Sequence, residues 1–357
     1  MSARMQATLT RRELLRMAGI AGGAAMIGAC TATQTQPTPA QSAPTAAPAT
    51  TAPATTAPAA PEPAQAAKKF KVGYTCISWT IPWQVYYKQM FEDIMKKYPN
   101  YEMLWHDANF DQKALIDAVE GWISQGVDMI MAFALDEVSM IESIKKARAA
   151  GIPVLLTMDP PDYKLYDYMT GFSGLDGWDG SRMCVDKFEE ILGGQGDLAY
   201  ITAPKGSASE QMYTQGVVDE MNRINSQIKI VAQEDGGWDV NQSYQKASDI
   251  LTKFPKLNAF YTTDDYMGAG IIRALKEKGY KPGDVTMVVQ GGSKQGVSDL
   301  KDGWYEGIVD QGPQFCAPQD IWIMRGLLEE GQKPPLFAAV LQEMITKDNV
   351  ERFPGTW

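Results

Sequence analysis

From Phe70 onward the chain repeats one unit: a short run of almost continuous apolar residues, then a longer stretch whose apolar residues recur at helical spacing. The first such stretch sets Tyr87, Met90, Phe91, Ile94, Met95 and Tyr98 on one face, in the three- and four-residue steps of an amphipathic helix. In the next, Leu115, Ala118, Val119, Trp122 and Ile123 form the stripe. Asp111 is placed to cap its start and Gly126 to end it. The apolar runs at 70–76, 127–133, 152–158, 198–202, 228–232, 259–263, 285–290 and 307–310 show little alternation with polar residues. Strands of that kind are buried on both faces, which requires parallel sheets covered by helices on either side. There are too many such units for one ordinary sheet. The predicted fold class is therefore α/β, with two Rossmann-like lobes, each a parallel sheet flanked by helices.

Ligands meet such sheets at the carboxyl ends of the strands, so function is sought just after each apolar run. There stand Ser78-Trp79-Thr80-Ile81-Pro82-Trp83-Gln84, Asp159, Gly236-Gly237-Trp238-Asp239, Asp264-Asp265, Gln290-Gly291-Gly292 and Gln311. Carboxylates accept hydrogen bonds from adjacent hydroxyls, amides donate and accept, and indoles cover the C–H face of a sugar ring. Any one of these acids, taken alone, reads as a turn residue or helix cap. Their recurrence after successive strands points to a polyhydroxylated guest.

Signs of catalysis are missing. His106 is the only histidine, which excludes a His-rich metal site and leaves a Ser-His-Asp triad without support. No Gly-x-Gly-x-x-Gly or phosphate loop occurs. Asp264-Asp265, adjacent in a strand-end turn, divides more naturally between ligand and cap than into an acid/base pair. An enzyme, a metal and a cofactor are not expected. The net charge of -10 and the lack of a basic stripe set nucleic acid aside as a partner.

The first thirty residues carry Arg4, Arg11, Arg12 and Arg16 against Glu13. Thr10-Arg11-Arg12-Glu13-Leu14-Leu15-Arg16 resembles a twin-arginine export signal. The apolar stretch 17–29 that follows is shorter than the ~20 residues a bilayer span needs. It ends in Ile27-Gly28-Ala29-Cys30, which resembles the lipobox of bacterial lipoproteins, where the Cys thiol takes a diacylglycerol and becomes the new N-terminus. Residues 1–29 are thus expected to be a signal peptide and Cys30 the lipidation site. That would hold the protein on the outer face of the cytoplasmic membrane, at the cell surface or in a periplasm. Residues 31–67 are nearly all Ala, Pro, Thr, Gln and Ser, with Glu62 as the one charge. Such a segment builds no core; as an extended linker it would reach roughly 110 Å. Cys76, Cys184 and Cys316 remain. An odd number argues for buried thiols over a disulfide framework, with a single pair left open.

The folded part, from Phe70 to about Asp348, resembles the ribose-binding type of periplasmic binding protein, the type I group that serves sugar ABC importers. Gly126-Val127-Asp128-Met129-Ile130 resembles the family's Gly-Val-Asp-x-Ile step. Ala150-Gly151-Ile152-Pro153-Val154 followed by Asp159 resembles its Ala-Gly-Ile-Pro-Val-x-x-x-Asp run. The segment 176–183, Asp264-Asp265-Tyr266-Met267 and Gln311-Gly312-Pro313 resemble, in order, further family motifs. The resemblance implies ligand contacts for Trp83, Asp159, Trp238 and Gln311. Gln84 stands where the family has a second aromatic, Asp264 where it has Asn, and Tyr213 where it has a sugar-clamping Arg. Trp79 is a further candidate wall. Pro160 and Gly291 replace a customary Arg and Asp. With those cationic clamps absent, the resemblance implies a neutral polyol rather than a sugar phosphate.

The same resemblance implies three crossings between the lobes. Lobe one would hold 70–172 plus 312–336, and lobe two 173–311 plus 337–349. The expected partners are a sugar or polyol, the permease of an ABC transporter, and the membrane through the lipid anchor, for a protein that is itself a monomer. Two alternatives stay open: a nucleoside or other small-ring ligand, and a sensory role toward a chemoreceptor or kinase.

Overall fold

The computed structural model describes residues 68–355 and 357. The expected signal peptide, Cys30 and the linker 31–67 lie outside the described residues. Two six-stranded sheets form. The first contains β1 (Phe70–Cys76), β2 (Tyr101–Asp107), β3 (Met129–Ala132), β4 (Val154–Met158), β5 (Gly171–Gly174) and β11 (Phe337–Ala339), in the order β11-β5-β4-β3-β1-β2. All of its pairings are parallel. The second contains β6 (Gln195–Thr202), β7 (Gln227–Asp235), β8 (Ala259–Thr262), β9 (Thr286–Gly291), β10 (Gly307–Asp310) and β12 (Met344–Ile345), in the order β12-β10-β9-β8-β6-β7. Only β12 pairs antiparallel there. Each lobe thus repeats one doubly wound order, reversing direction beside its first strand, at β1/β3 and again at β6/β8. A crevice opens at such a reversal.

Helices cover both faces: α1 (Pro82–Met95), α2 (Gln112–Gln125), α3 (Ile141–Ala149), α4 (Gly177–Leu192), α5 (Ala208–Ile224), α6 (Val240–Lys253), α7 (Asp265–Glu277), α8 (Lys294–Lys301) and α9 (Pro313–Glu330). Their boundaries follow local chemistry. Asp111 accepts from the amides of Lys113 and Ala114 at the start of α2, and Gly126 at φ 65° ends it. Asp176, Ser207, Asp239 and Asp264 cap α4 to α7 in the same way. Successive strand residues serve opposite faces. Met129 and Met131 pack with Tyr87 and Phe91 of α1, while Ile130 packs with Leu115 and Val119 of α2. In the second lobe Phe260 faces Ile271 of α7, and its neighbour Tyr261 faces Cys184 and Phe188 of α4.

The chain passes between the sheets at residues 175–176, 311–312 and 340–343. Two of these positions correct the sequence expectation, which put Ser173 and Phe337 in lobe two. Both belong to the first sheet, where Phe337 pairs with Phe172 and Ala338 with Ser173. The Phe172 and Phe337 rings meet at 4.7 Å, so this edge ladder carries the first lobe a few residues past each expected boundary. Cys76, Cys184 and Cys316 are free and buried. His106, on β2, shares a 3.0 Å hydrogen bond with Thr75 Oγ1.

Gly73 lets α2 lie on β1, because a Cβ there would fall inside the Trp122 indole. Gly121, in the middle of α2, has open space around the same position. Gly73→Ala should therefore destabilise the protein by ~1–3 kcal/mol through overpacking. Gly121→Ala should stabilise it by ~0.5–1 kcal/mol by reducing unfolded-chain entropy. Denaturant unfolding of the two variants checks the opposite signs.

Candidate functional site

The carboxyl ends of the two sheets border one cavity, with about 590 Å³ of empty space that is partly open to solvent. Pro82 at the first position of α1 starts that helix and brings Trp83 and Gln84 to the cavity wall. Asp159 reaches it from the end of β4, Tyr213 from α5, Trp238 from the turn after β7 and Asp264 from the end of β8. Gln311 lines it from the middle crossing. The Trp83 ring stacks on Tyr87 at 5.5 Å, and its Nε1 donates to the Gln311 carbonyl at 2.6 Å. The lobes also touch directly. Ser209 Oγ of α5 donates to Asp159 Oδ2, and the Ala208 amide, a first-turn donor with no partner in its own helix, donates to the Leu135 carbonyl at 2.9 Å.

Trp79 does not line the cavity, which corrects its candidacy. Its ring lies 6.3 Å from Tyr74 and 5.8 Å from Trp105, with the Lys88 ammonium 5.9 Å away. Ser78 Oγ accepts from the Thr80 amide in the turn that lays this indole on the first-lobe core. Trp83, one helical turn further on, faces the cavity instead.

Among the described residues no Lys, Arg or His lines the cavity, although two carboxyls do. Asp159 is 4% exposed, and burial pushes its pKa up to about 6 against the lowering effect of the Ser209 hydrogen bond. Asp264 Oδ1 accepts from the Met267 amide at 2.7 Å, and burial raises its pKa to about 7. Asp264 thus both caps α7 and lines the cavity. Its neighbour Asp265 turns away and accepts from the amides of Gly292 and Ser293 at 2.9 and 2.8 Å. A Cβ on Gly291 would collide with that carboxylate, which explains why no acid stands at position 291.

A buried amide network orients Gln311. Its Nε2 donates to Gln290 Oε1 at 2.6 Å and to Tyr213 Oη at 3.2 Å. Gln290 Nε2 in turn donates to Tyr261 Oη at 2.7 Å and Ser181 Oγ at 3.1 Å. Three other lining residues carry buried polar atoms with no partner: Gln84 Oε1, Thr263 Oγ1 and Trp357 Nε1. Such atoms are uncommon in folded proteins.

Backbone strain is found here, as it is at Phe110 outside the cavity. Met158 at φ 75° and Trp238 at φ 52° are left-handed without being glycine, a conformation that costs an L-residue roughly 1–2 kcal/mol. Both line the cavity, and strain of this sort collects at ligand sites. Trp238 packs against the apolar clusters of both lobes.

Sequence reasoning missed Phe133, Met158, Leu175, Thr263, Tyr266 and Trp357, all of which line the cavity. Met158 and Thr263 directly precede predicted residues, so a wider window at each strand end would have found them. Trp357 follows no strand of either sheet and carries no such signal.

The family model described as "Periplasmic binding protein domain" matches residues 72–333. The chain belongs to the periplasmic binding proteins. Within them it is of the ribose-binding, type I kind. It is 26% identical over 265 residues, covering 72% of each chain, to the xylitol-binding protein of Mycolicibacterium smegmatis. It is 27% identical over 229 residues, 63% of this chain and 70% of the relative, to the D-ribose/D-allose-binding protein of Pseudomonas aeruginosa. A solved galactofuranose binding protein shares the fold with a TM-score of 0.74 at 19% identity, over 80% of this chain and 97% of its own. An ABC transporter solute binding protein from Bacillus halodurans with bound myo-inositol does so at 0.74 and 20% identity, over 81% and 99%. These relatives are named for binding, not for catalysis. Family membership implies export; among the described residues no helix is long and apolar enough to cross a membrane.

Asp159 and Asp264 bind their protons more tightly in the folded state than in the unfolded chain. Their contribution to stability is complete below the ordinary carboxylate range and is lost as pH rises through 6 and 7. The ligand-free protein should therefore melt several degrees lower at high pH than at low pH across that window. Asp264→Asn, which keeps the helix cap, should flatten the slope in calorimetric melts.

Proposed function

We propose that this chain is an extracytoplasmic solute-binding lipoprotein of an ABC importer, holding a neutral sugar or polyol between its lobes and delivering it to the permease. The observation that carries the reading is the set of acceptors in one cavity. The Asp159 and Asp264 carboxyls have no cationic side chain beside them in the wall, and Gln84 Oε1 and Thr263 Oγ1 are buried without partners. A guest rich in hydroxyl donors satisfies all of these at once. An anionic guest would meet two acids and no Arg or Lys. Trp83 and Trp238 offer apolar faces for the C–H side of the same guest.

Because the wall is drawn from both lobes, a ligand that fills it favours the lobes in contact, and binding energy drives closure about the three crossings. The importer would read that closed form. The relatives that bind xylitol and D-ribose or D-allose favour the same ligand class. Cys30 would tether the protein to the membrane and residues 31–67 would hold it away from the surface.

A melting-temperature screen against pentoses, hexoses, linear and cyclic polyols, and nucleosides tests the ligand class. A true ligand at one hundred times its dissociation constant adds about 2.7 kcal/mol of stability and should compact the small-angle scattering profile. If only nucleosides act, the sugar or polyol reading fails. Trp238→Ala should weaken binding by on the order of 1 kcal/mol or more, about fivefold, in titration calorimetry. Cys30→Ser should abolish fatty-acid labelling in cells and move the protein from the membrane to the soluble fraction; retention at the membrane would rule out the anchor. Growth of a deletion strain on the ligand separates import from sensing.

A further inference from the structure

We propose that Trp357 is a ligand-contacting residue whose backbone, like Phe353 and Gly355 before it, is held on the second lobe; the assignment rests on the sugar or polyol reading above. Phe353 packs against that lobe's core. Gly355, at φ 70°, lies so close to the start of α8 that a Cβ would sit 2.7 Å from Lys294 Cα and 3.0 Å from its amide nitrogen. The Lys294 amide donates to the Trp357 carbonyl at 2.8 Å.

The indole also reaches the first lobe. Trp357 is 7% exposed and joins the apolar cluster of Trp83, Met158 and Leu175, while the Tyr266 ring of the second lobe lies 5.4 Å away. Trp357 therefore has its backbone on the second lobe and its ring between the two, and it lines the cavity.

Its Nε1 is buried with no acceptor. Indole N–H groups in protein interiors ordinarily find one, and an orphaned donor is costly. A hydroxyl or ring oxygen of the guest supplies the acceptor. The acids, Gln84 and Thr263 provide acceptors in this wall, so Trp357 adds a donor to it. It also couples occupancy to closure, since its ring reaches the first lobe only when the lobes are together.

The test is titration calorimetry of the full chain with xylitol, D-ribose, D-allose and myo-inositol, comparing wild type, Trp357→Phe and Trp357→Ala. Trp357→Phe keeps an aromatic wall but removes the donor, and should weaken the tightest of the four by about tenfold; Trp357→Ala should weaken it by about a hundredfold. The ligand-free melting temperature of Trp357→Phe should equal or exceed that of wild type, because an unpaired buried donor is gone. A residue that merely fills the core would show the reverse: unchanged affinity and a lower melting temperature. If wild type binds and Trp357→Phe binds within twofold of it, this assignment is overturned while the binding function stands. If wild type binds none of the four and no sugar or polyol of the melting-temperature screen either, the sugar or polyol reading falls and this assignment with it; a sugar or polyol found only in that screen takes the place of the four in the same comparison. Should Trp357→Ala fail to fold, the Phe variant still decides.

Discussion

A parallel sheet covered by helices on both faces leaves its strands one place to carry chemistry, the carboxyl end where the next loop begins. Here that constraint acts twice, because the chain builds the same doubly wound order in two successive lobes. With three crossings joining them, the two sets of strand ends border a single cavity. The position of nearly every predicted site residue follows from this duplication.

The cavity wall is held in a state that is unfavourable without a guest. Two acids are dehydrated enough to bring their pKa values up to about 6 and about 7, three lining residues keep buried polar atoms unpaired, and Met158 and Trp238 adopt left-handed backbone conformations. The surrounding structure offsets these costs with well-filled cores on both faces of each sheet and with the buried amide network behind Gln311. Unpaired buried polar atoms and left-handed backbone also occur away from the cavity, as at Tyr200, Asp320 and Phe110; in the wall they coincide with the two dehydrated acids. The direct contacts between lobes, Ser209 to Asp159 and Ala208 to Leu135, connect that wall to the relative placement of the lobes.

The strand–helix rhythm was legible because burial on both faces writes itself as unbroken apolar runs and helix stripes. The helix caps were legible at Asp111 and Gly126 because capping is local. The boundary errors at Ser173 and Phe337 arose because edge pairing between β5 and β11 joins residues far apart in the chain. Trp79 and Trp83 were hard to tell apart as letters, both standing in the segment that follows β1; only the turn at Ser78 and the start of α1 decide which indole meets the core and which the cavity. Asp264 and Asp265 present the same problem at the next scale, since one lines the cavity and its neighbour braces the loop after β9.

The amino-acid order by itself determined the α/β class, the doubling into two lobes, and a pool of acids, amides and indoles at strand ends, because these depend on periodicity and on contacts between near neighbours. Tertiary structure alone decided which of those residues share a cavity, which polar atoms are left without partners, and that Trp357, remote from every strand end, stands in the same wall. Those facts depend on how two sheets are set against each other, and no local spacing in the chain encodes a distance across a cleft.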